Sequence, residues 1–561
     1  MIIERDVGIG MDDGLVLRAD IFRPKGDEKV PVIMNLGPYN KGLRYQEGYA
    51  TEWKRLIDEH PEVAQGSTCS FLTWETVDPE RWVPKGYAVI RIDSRGTGRS
   101  PGIVDLYSPR EVRDFYTAIE WAGNLPWCNG KVGLLGISYY AINQWLVASL
   151  QPPHLAAMIP WEGASDHYRD MTYHGGILCN GFVEQWYARR FLPRQHGKGK
   201  NSAMDPWLGK PATGNETLSE EELRQNRTDY LADIRKHKLD DEFHKSRSPD
   251  FPKIKVPLMS SGNWGGVGLH SRGNFEGYTR SASDNKWLSV HVGRHEEYFY
   301  LQYGRDLQMR FFDHFLKGRN NGWEKEPPVL LTIRHVDRLE ERKENQWPIA
   351  RTKWTKAYVE SSDSLSWAPS SSESKISFEA QGSGLSLYTK PMDHETEITG
   401  PVVAKLYASS STTDLDLFLT MRAFSPEGKE VTFHGANEPR APLSQGWLRA
   451  SHRKLDPKLS KPYRPYHTHD QVQKLDPGKP YELDVELWPT SMVLPAGYLI
   501  ALTIGGRDFE RPDSTERYKG SGPFMHNDPG DRELPEFKGT TEILTGGKKA
   551  SYLLLPVIPA T

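Results

Sequence analysis

The sequence predicts a parallel α/β sheet domain that is opened by an inserted helical segment and followed by an all-β domain. Three observations carry this. Apolar runs alternate with helical patterns through the first third of the chain, residues from about 165 to 250 lose strand periodicity, and after about 350 only short alternating runs remain.

In order, LVLRADIFRP and VPVIMNLGPY read as strands, and YAVIRIDSRGTGRS is an apolar strand entering a Gly-rich turn. PREVRDFYTAIEWAGNLP has helical spacing, KVGLLGIS is a strand, and YYAINQWLVASLQ is a helix stopped by Pro152 and Pro153. LAAMIPWEG is again a strand. Near-continuous apolar strands joined by helices imply a parallel sheet covered on both faces. The 165–250 segment, rich in His, Tyr, Trp and Arg and then charged (SEEELRQNRTDYLADIRKHK), reads as a helical cap. VPLMSSGNWGG and KWLSVHVGRHEE resume the strands, and LQMRFFDHFLKG closes with a helix. ISFEAQGSG, PVVAKLYASSS, LDLFLTMRAF, YELDVELWPTS and YLIALTIGG suggest an antiparallel sandwich or jelly roll, and SSDSLSWAPSSSESK a surface connection. The expected domains are 1–164 and 251–350 (the sheet domain), 165–250 (cap) and 351–561 (jelly-roll β-sandwich).

Composition narrows the class. The chain has 561 residues with 37% hydrophobic and 26% charged content, as soluble globular proteins do. A net charge of −3 gives no pull toward nucleic acid or an acidic membrane surface. The three cysteines, Cys69, Cys128 and Cys179, argue against a disulfide framework and for a reducing compartment. No run approaches a membrane span and the N-terminus lacks a signal-peptide pattern, so a cytoplasmic protein is expected.

The chemistry centres on KVGLLGISYYA. Gly136-Ile137-Ser138 matches the first half of the nucleophile-elbow pattern G-x-S-x-G, in the strand–turn–helix context that the motif requires. Tyr140 stands at the second glycine, with small Ala141 one further on. A serine here would also serve as a helix N-cap; strand, glycine and helix together favour the nucleophile. A serine nucleophile needs a base, and its acyl-transfer transition state needs oxyanion donors, of which the Tyr139 N–H is one.

With GISYYA, NLGPYNKG, RIDSRGTGRSPG, PWCNGKVG, PVVAKLYASSSTTDLDL and ELWPTSMVLPAGYLIALTI, the chain resembles the CocE/NonD hydrolases. This is the cocaine-esterase-like group related to X-Pro dipeptidyl-peptidases and α-amino-acid ester hydrolases. The likeness covers most of the chain, the cap least. It implies an α/β-hydrolase core, a helical cap and a C-terminal jelly roll. It also implies that Tyr39, in Pro38-Tyr39-Asn40-Lys41, supplies a second oxyanion donor, and that His295 after the Gly293-Arg294 turn is the base. His291 lies within a strand pattern, and His270 in GLHSRGN is a rival for the base that reads more as a polar packing residue.

The acid departs from the family pattern. Ser261-Gly262-Asn263-Trp264-Gly265-Gly266 corresponds to the family's G-W-Y-D-G stretch, with Gly265 where the Asp should stand. A glycine cannot orient an imidazole. Glu162, at the end of LAAMIPWEG, is the favoured replacement, with Asp166, Glu276 and Glu296 as alternatives, or no acid at all.

The expected function is therefore a serine hydrolase that cleaves an ester, thioester, lactone or amide through an acyl-enzyme on Ser138. Trp161, Trp186 and Tyr187 are expected to line an apolar pocket for a small acyl substrate. An X-Pro dipeptidyl-peptidase-type aminopeptidase is the alternative, and a non-hydrolytic pathway protein (ligand binding, cyclisation or proton transfer) is a third reading motivated by Gly265. The Gly-rich DSRGTGRSPG lacks a nucleotide-binding spacing, and Asp93 and Arg95 are expected to hold it by ion pairing. HTHD at 467–470 reads as an exposed loop. No metal or cofactor is expected, nor nucleic-acid or membrane partners; a homodimer is compatible with the resemblance.

Overall fold

Alternating apolar side chains decide which way each strand of the first domain faces. In β3 (Val30–Gly37) every residue is buried, with Val32, Met34 and Leu36 in one core cluster and Ile33 in another. β4 (Ala88–Asp93) and β5 (Cys128–Ile137) divide in the same way. A sheet buried on both faces needs helices on both, and the crossovers supply them. α1 (Pro109–Gly123) and α2 (Tyr139–Ala148) cover one face, and the C-terminal helix of the domain the other. The computed structural model describes residues 1–511 and 521–560.

With β1 (Ile2–Gly10), β2 (Val16–Arg23), β6 (Leu155–Trp161), β7 (Leu258–Asn263), β8 (Lys286–His291), β9 (Val329–Arg334) and β10 (Leu339–Glu344), the sheet order is β1-β2-β4-β3-β5-β6-β7-β8-β9-β10. The run from β4 to β9 is parallel; β1, β2 and β10 add antiparallel edges. β1 and the charged, largely exposed β10 carry no apolar alternation that would announce them.

The segment between β6 and β7 is less helical than its composition suggests. It holds short helices, α3 (Asn180–Trp186) among them, and two ribbons, Tyr173–His174 with Ile177–Leu178 and Met204–Asp205 with Lys210–Pro211. After β7 come α4 (Ser271–Arg280) and, beyond β8, α5 (Gln302–Lys317), which ends at left-handed Gly318 and covers the second face of the sheet.

From Lys353 onward the strands pair antiparallel around a separate core. Thr396–Ser410 lies between Tyr481–Leu494 and Tyr552–Ile558, and Asp416–Phe424 between Ser444–Arg449 and Leu499–Gly505. Buried arginines fasten this domain to the first. Arg334 of β9 donates to the Ser491 carbonyl (2.8 Å) and Thr490 Oγ1 (2.9 Å). Arg272 of α4 pairs with Asp170 (2.9 Å) and Glu486 (3.0 Å). No helix among the described residues is long and apolar enough to cross a membrane.

Two expectations change. Asp93 holds the Gly-rich turn by accepting the backbone N–H groups of Lys41 and Arg99 (both 2.8 Å), at a point where a side chain on Gly98 would collide with it. Arg95 instead pairs with Asp13 and Asp114 (both 2.7 Å). The HTHD stretch is not an exposed loop: His467 and His469 are buried against the insertion, where Arg169 donates to the His467 carbonyl. A polar sequence gave no sign of that contact, because it is made across 298 residues.

Candidate active site

β5 ends at Ile137 and α2 begins at Tyr139, so Ser138 alone turns the chain, at φ 58° and ψ −113°. The turn is tight. A Cβ on Gly136 would lie 2.5 Å from that of Tyr140, and one on Gly163 would lie 2.5 Å from that of Ala141. Tyr140 fits in place of the second motif glycine because its ring lies over Gly37, where a Cβ would come within 2.4 Å of it. The Ser138 side chain makes no cap bond to α2, which removes the N-cap reading. Its Oγ lies 3.0 Å from Nε2 of His270, the residue just before α4. Burial, with the neighbouring His295 charge, pushes His270 down to about 3, so it is a neutral ring. Its Nδ1 is buried without a partner among the described residues.

His295, the base that the resemblance implies, is therefore not the ring on Ser138. It stacks on His270 (centroids 4.8 Å apart, 22° between planes) and has both nitrogens engaged. Nδ1 lies 2.7 Å from Glu162 Oε2 and Nε2 2.7 Å from Glu75 Oε1. Burial opposes charge on this ring, but the Glu162 charge and the hydrogen bonds to both carboxylates outweigh it and push the group up to about 10.

Glu162 is fully buried at φ 46°, just past β6. Its Oε1 meets His291 Nε2 at 2.8 Å and accepts from Asn263 Nδ2 at 3.0 Å. Burial alone would raise it; His295 and His291 together bring it down to about 2. Glu75 has the opposite balance: burial raises it to about 7, offset only by His295, and its Oε2 has no partner. Glu75, Ser138 and Glu162 all hold positive φ without being glycine, and such backbone strain concentrates at functional sites.

The missing acid at Gly265 has a steric cause. A Cβ there would lie 2.4 Å from the Gly435 Cα, because the β domain presses residues 435 and 436 onto this turn. The contact is sealed by Ala436 N–H to the Gly265 carbonyl (3.1 Å) and His295 N–H to the Ala436 carbonyl (3.3 Å). Neither an aspartate nor any other side chain fits.

The other acids considered lie elsewhere or are occupied. Asp166 caps the turn after it and pairs with Arg169. Glu276, on α4, is engaged by Arg464 and Arg280. Glu296 lines the cleft but pairs with Arg55 (3.2 Å). Tyr39 reaches the cleft, its hydroxyl accepting from Trp186 Nε1 at 2.9 Å, and burial keeps it protonated by raising it well above its ordinary value. Trp186 lines the cleft. Trp161 and Tyr187 do not. Trp161 stacks on His291 behind the site (4.9 Å), and Tyr187, one position round the helical path from Trp186, packs on Phe191 (5.0 Å). The Tyr139 side chain bonds Glu111, while its N–H opens α2.

The cleft has a volume of about 670 Å³, with Ser138, His270 and His295 on its floor and Tyr39, Trp74 and Trp186 among its walls. Its rim carries Arg55, Arg189, Arg190 and Arg294. Three parts of the wall lie outside any motif. Glu52, Trp74 and Glu75 come from the stretch between β3 and β4, Phe182 and Trp186 from α3, and His434 to Pro439 with Pro523 and Met525 from the β domain. His270 had a local signal, a histidine at a helix start just after a sheet strand.

The chain is similar to known proteins along most of its length. Residues 13–297 match the X-Pro dipeptidyl-peptidase (S15 family), and residues 321–554 the X-Pro dipeptidyl-peptidase C-terminal non-catalytic domain. A solved CocE/NonD family hydrolase from Staphylococcus aureus is similar over 100% of this chain and 94% of its own, at 32% identity and TM-score 0.84. A putative serine esterase of Mycobacterium bovis is 25% identical over 89% of this chain and 90% of its own. The cocaine esterase of a Rhodococcus species is 23% identical over 99% of this chain and 98% of its own.

The Glu162–His295 pair sets a pH dependence. His295 is raised from 6.5 to about 10, so its contribution is complete below 6.5 and lost as pH rises through 10. Glu162 is lowered from 4.5 to about 2, so its contribution is complete above 4.5 and lost as pH falls through 2. Glu162→Gln should cost about 3–5 kcal/mol near neutrality, as breaking a buried ion pair does. The gap between wild-type and variant stability, read by denaturant melts, should narrow toward pH 10 and toward pH 2. A second prediction concerns the closed turn: Gly265→Asp, offered as a restored family acid, should lower the melting temperature and activity together, because it overpacks against Gly435.

Proposed function

We propose, for a chain that belongs to the S15 family of X-Pro dipeptidyl-peptidase-type serine hydrolases, that Ser138 is the nucleophile and that His270 takes its proton. The protein is a serine hydrolase, of a family that works through an acyl-enzyme. The observation that carries the assignment is the 3.0 Å contact of Ser138 Oγ with His270 Nε2, at a bend strained enough to expose the hydroxyl.

His270 accepts the proton as Ser138 Oγ attacks the acyl carbon, and returns it to the leaving group. The developing oxyanion is met by the Tyr139 N–H at the start of α2 and by the Tyr39 hydroxyl, whose own hydrogen is free to turn because Trp186 donates to its oxygen. A proton on His270 puts a second charge beside His295. The Nε2 proton of His295 can then pass along the 2.7 Å contact to Glu75, which leaves the net charge of the stacked pair unchanged. Glu162 stays ionised and stabilises whichever ring is charged.

One observation favours a second assignment. His295 is the imidazole oriented by an acid, through Nδ1 and Glu162 at 2.7 Å, in the manner of a Ser-His-acid triad. It would act as base once Glu75 leaves Nε2.

The substrate is read as a small ester, thioester, lactone or amide with a neutral acyl part. Glu52 pairs with Arg190, Glu296 with Arg55 and Glu75 with His295, so among the described residues every cleft carboxylate already has a cationic partner and none is left over for a substrate ammonium. The X-Pro peptidase alternative needs that anion. The 165–250 insertion is read as the cap over this cleft and the C-terminal domain as a jelly roll. A cytoplasmic setting rests on three unpaired, buried cysteines.

A fluorophosphonate should label wild type and not Ser138→Ala; absence of labelling in wild type would instead support the non-hydrolytic reading. His270→Ala should lower turnover of an aryl acetate by on the order of 10⁴-fold, and His295→Ala by much less. The pH profile separates the two bases: with His270, at about 3, activity stays level down through mildly acidic pH, whereas with His295 it climbs toward pH 10. Turnover of an aryl ester well above that of a Gly-Pro anilide is expected; the reverse would establish the peptidase reading.

A further inference from the structure

His174, Cys179 and His526 form a second buried cluster, separate from the cleft, with one ligand atom of each within 4.8 Å of the others. His174 ends one strand of the insertion's ribbon, and Gly175 and Gly176 turn the chain back so that Ile177–Leu178 delivers Cys179 beside it. His526 comes from the β domain.

The hydrogen bonds fix how both rings are protonated on their outer sides. His526 Nδ1 lies 2.8 Å from Asp508 Oδ1, and the other oxygen of Asp508 accepts the His526 backbone N–H at 2.6 Å. A carboxylate accepts only, so Nδ1 carries hydrogen. His174 Nε2 faces the Asp170 carbonyl at 3.3 Å, and a carbonyl only accepts, so it too carries hydrogen. The inner nitrogens, His174 Nδ1 and His526 Nε2, are then lone pairs in neutral rings, yet they face each other at 2.9 Å. Two lone pairs repel at that distance, so the geometry calls for a cation between them, either a proton or a metal ion. A proton would leave the nearby Cys179 thiol without a role.

We propose that His174, Cys179 and His526 form a binding site for a divalent transition-metal ion of the zinc type. Two imidazoles and a thiolate are the donors such an ion prefers. Each histidine already has an acceptor on its outer nitrogen, as metal-bound histidines do. Nitrogens about 2.1 Å from one tetrahedral ion lie roughly 3.4 Å apart, so the rings need move only by a few tenths of an ångström. Charge closes as well: a divalent ion, the Cys179 thiolate and the Asp508 carboxylate sum to zero. Binding releases the thiol proton to solvent, against the burial that otherwise holds Cys179 well above its ordinary value. Trp447 stacked on His174 (4.6 Å) and Phe524 packed with Cys179 enclose the site, and a water would complete the four ligands of the ion. The ion would staple the insertion to the β domain directly behind Phe182 and Met525, two cleft-lining residues.

The test uses the full chain, produced in zinc-supplemented medium and purified without chelator, with metal counted by inductively coupled plasma mass spectrometry. About one zinc per chain is expected, falling several-fold in Cys179→Ser and in His526→Gln. Cobalt exchanged into wild type should give a thiolate-to-cobalt charge-transfer band that Cys179→Ser lacks, with fluorophosphonate labelling of Ser138 reporting that each variant is folded. Wild type that stays metal-free and gives no band overturns the proposal and leaves a proton between the rings. Stoichiometric zinc that both folded variants retain overturns it too, since the ion then sits elsewhere.

Discussion

The buried carboxylate of Glu162 is the constraint on which the site is built. An anion out of water must be met on every side, and here it is met by His291 and His295 and by the amide of Asn263. These partners stand at the ends of β7 and β8 and just beyond, so the carboxylate ties three adjacent strand ends together. Asn263 also donates to the Gly293 carbonyl and accepts the Gly265 N–H, which fixes both turns that carry the histidines. His295 is held by this arrangement, and His270 is held by stacking on His295.

The place of that acid follows from how the two domains meet. The usual position after β7 is closed because the backbone at Gly435 lies against Gly265. The carboxylate enters instead from the end of the neighbouring strand, β6, and meets His295 Nδ1 at 2.7 Å. The β domain is thus part of the site: it excludes a side chain at 265, fixes the His295 backbone through Ala436 and walls the cleft through Met525. The elements joined by Arg334 and Arg272 cannot slide without disturbing the nucleophile's surroundings.

Buried histidines meet in facing pairs at three points, one of them between the insertion and the β domain. His167 meets His244 at 2.8 Å, His174 meets His526 at 2.9 Å and His452 meets His469 at 3.0 Å. The first two pairs join segments 77 and 352 residues apart, the third only 17. In the first and third pairs one ring can donate to the other, since a neutral imidazole is donor on one nitrogen and acceptor on the other, whereas His174 and His526 both turn lone pairs inward. In the cleft the same versatility allows a proton to be shared between His295 and Glu75 beside a neutral His270.

The sequence by itself determined what depends on near neighbours. Strand and helix periods placed β2 to β8 and α1, α2 and α5, because side-chain direction repeats every two or 3.6 residues whatever the partner. Ser138 was legible for the same reason: strand, glycine, serine and helix are consecutive, and only that bend exposes the hydroxyl. Glu162 was reached from the end of its strand. Tertiary structure alone decided which imidazole meets the serine, since His270 and His295 lie 132 and more residues away and differ by the stacking of one ring. It also decided the role of Glu75, in a stretch with no periodicity, the burial of His467 and His469, and the loss of Trp161 and Tyr187 from the cleft wall. Each is set by a surface contributed from far along the chain, and no local pattern encodes a contact whose other half is elsewhere.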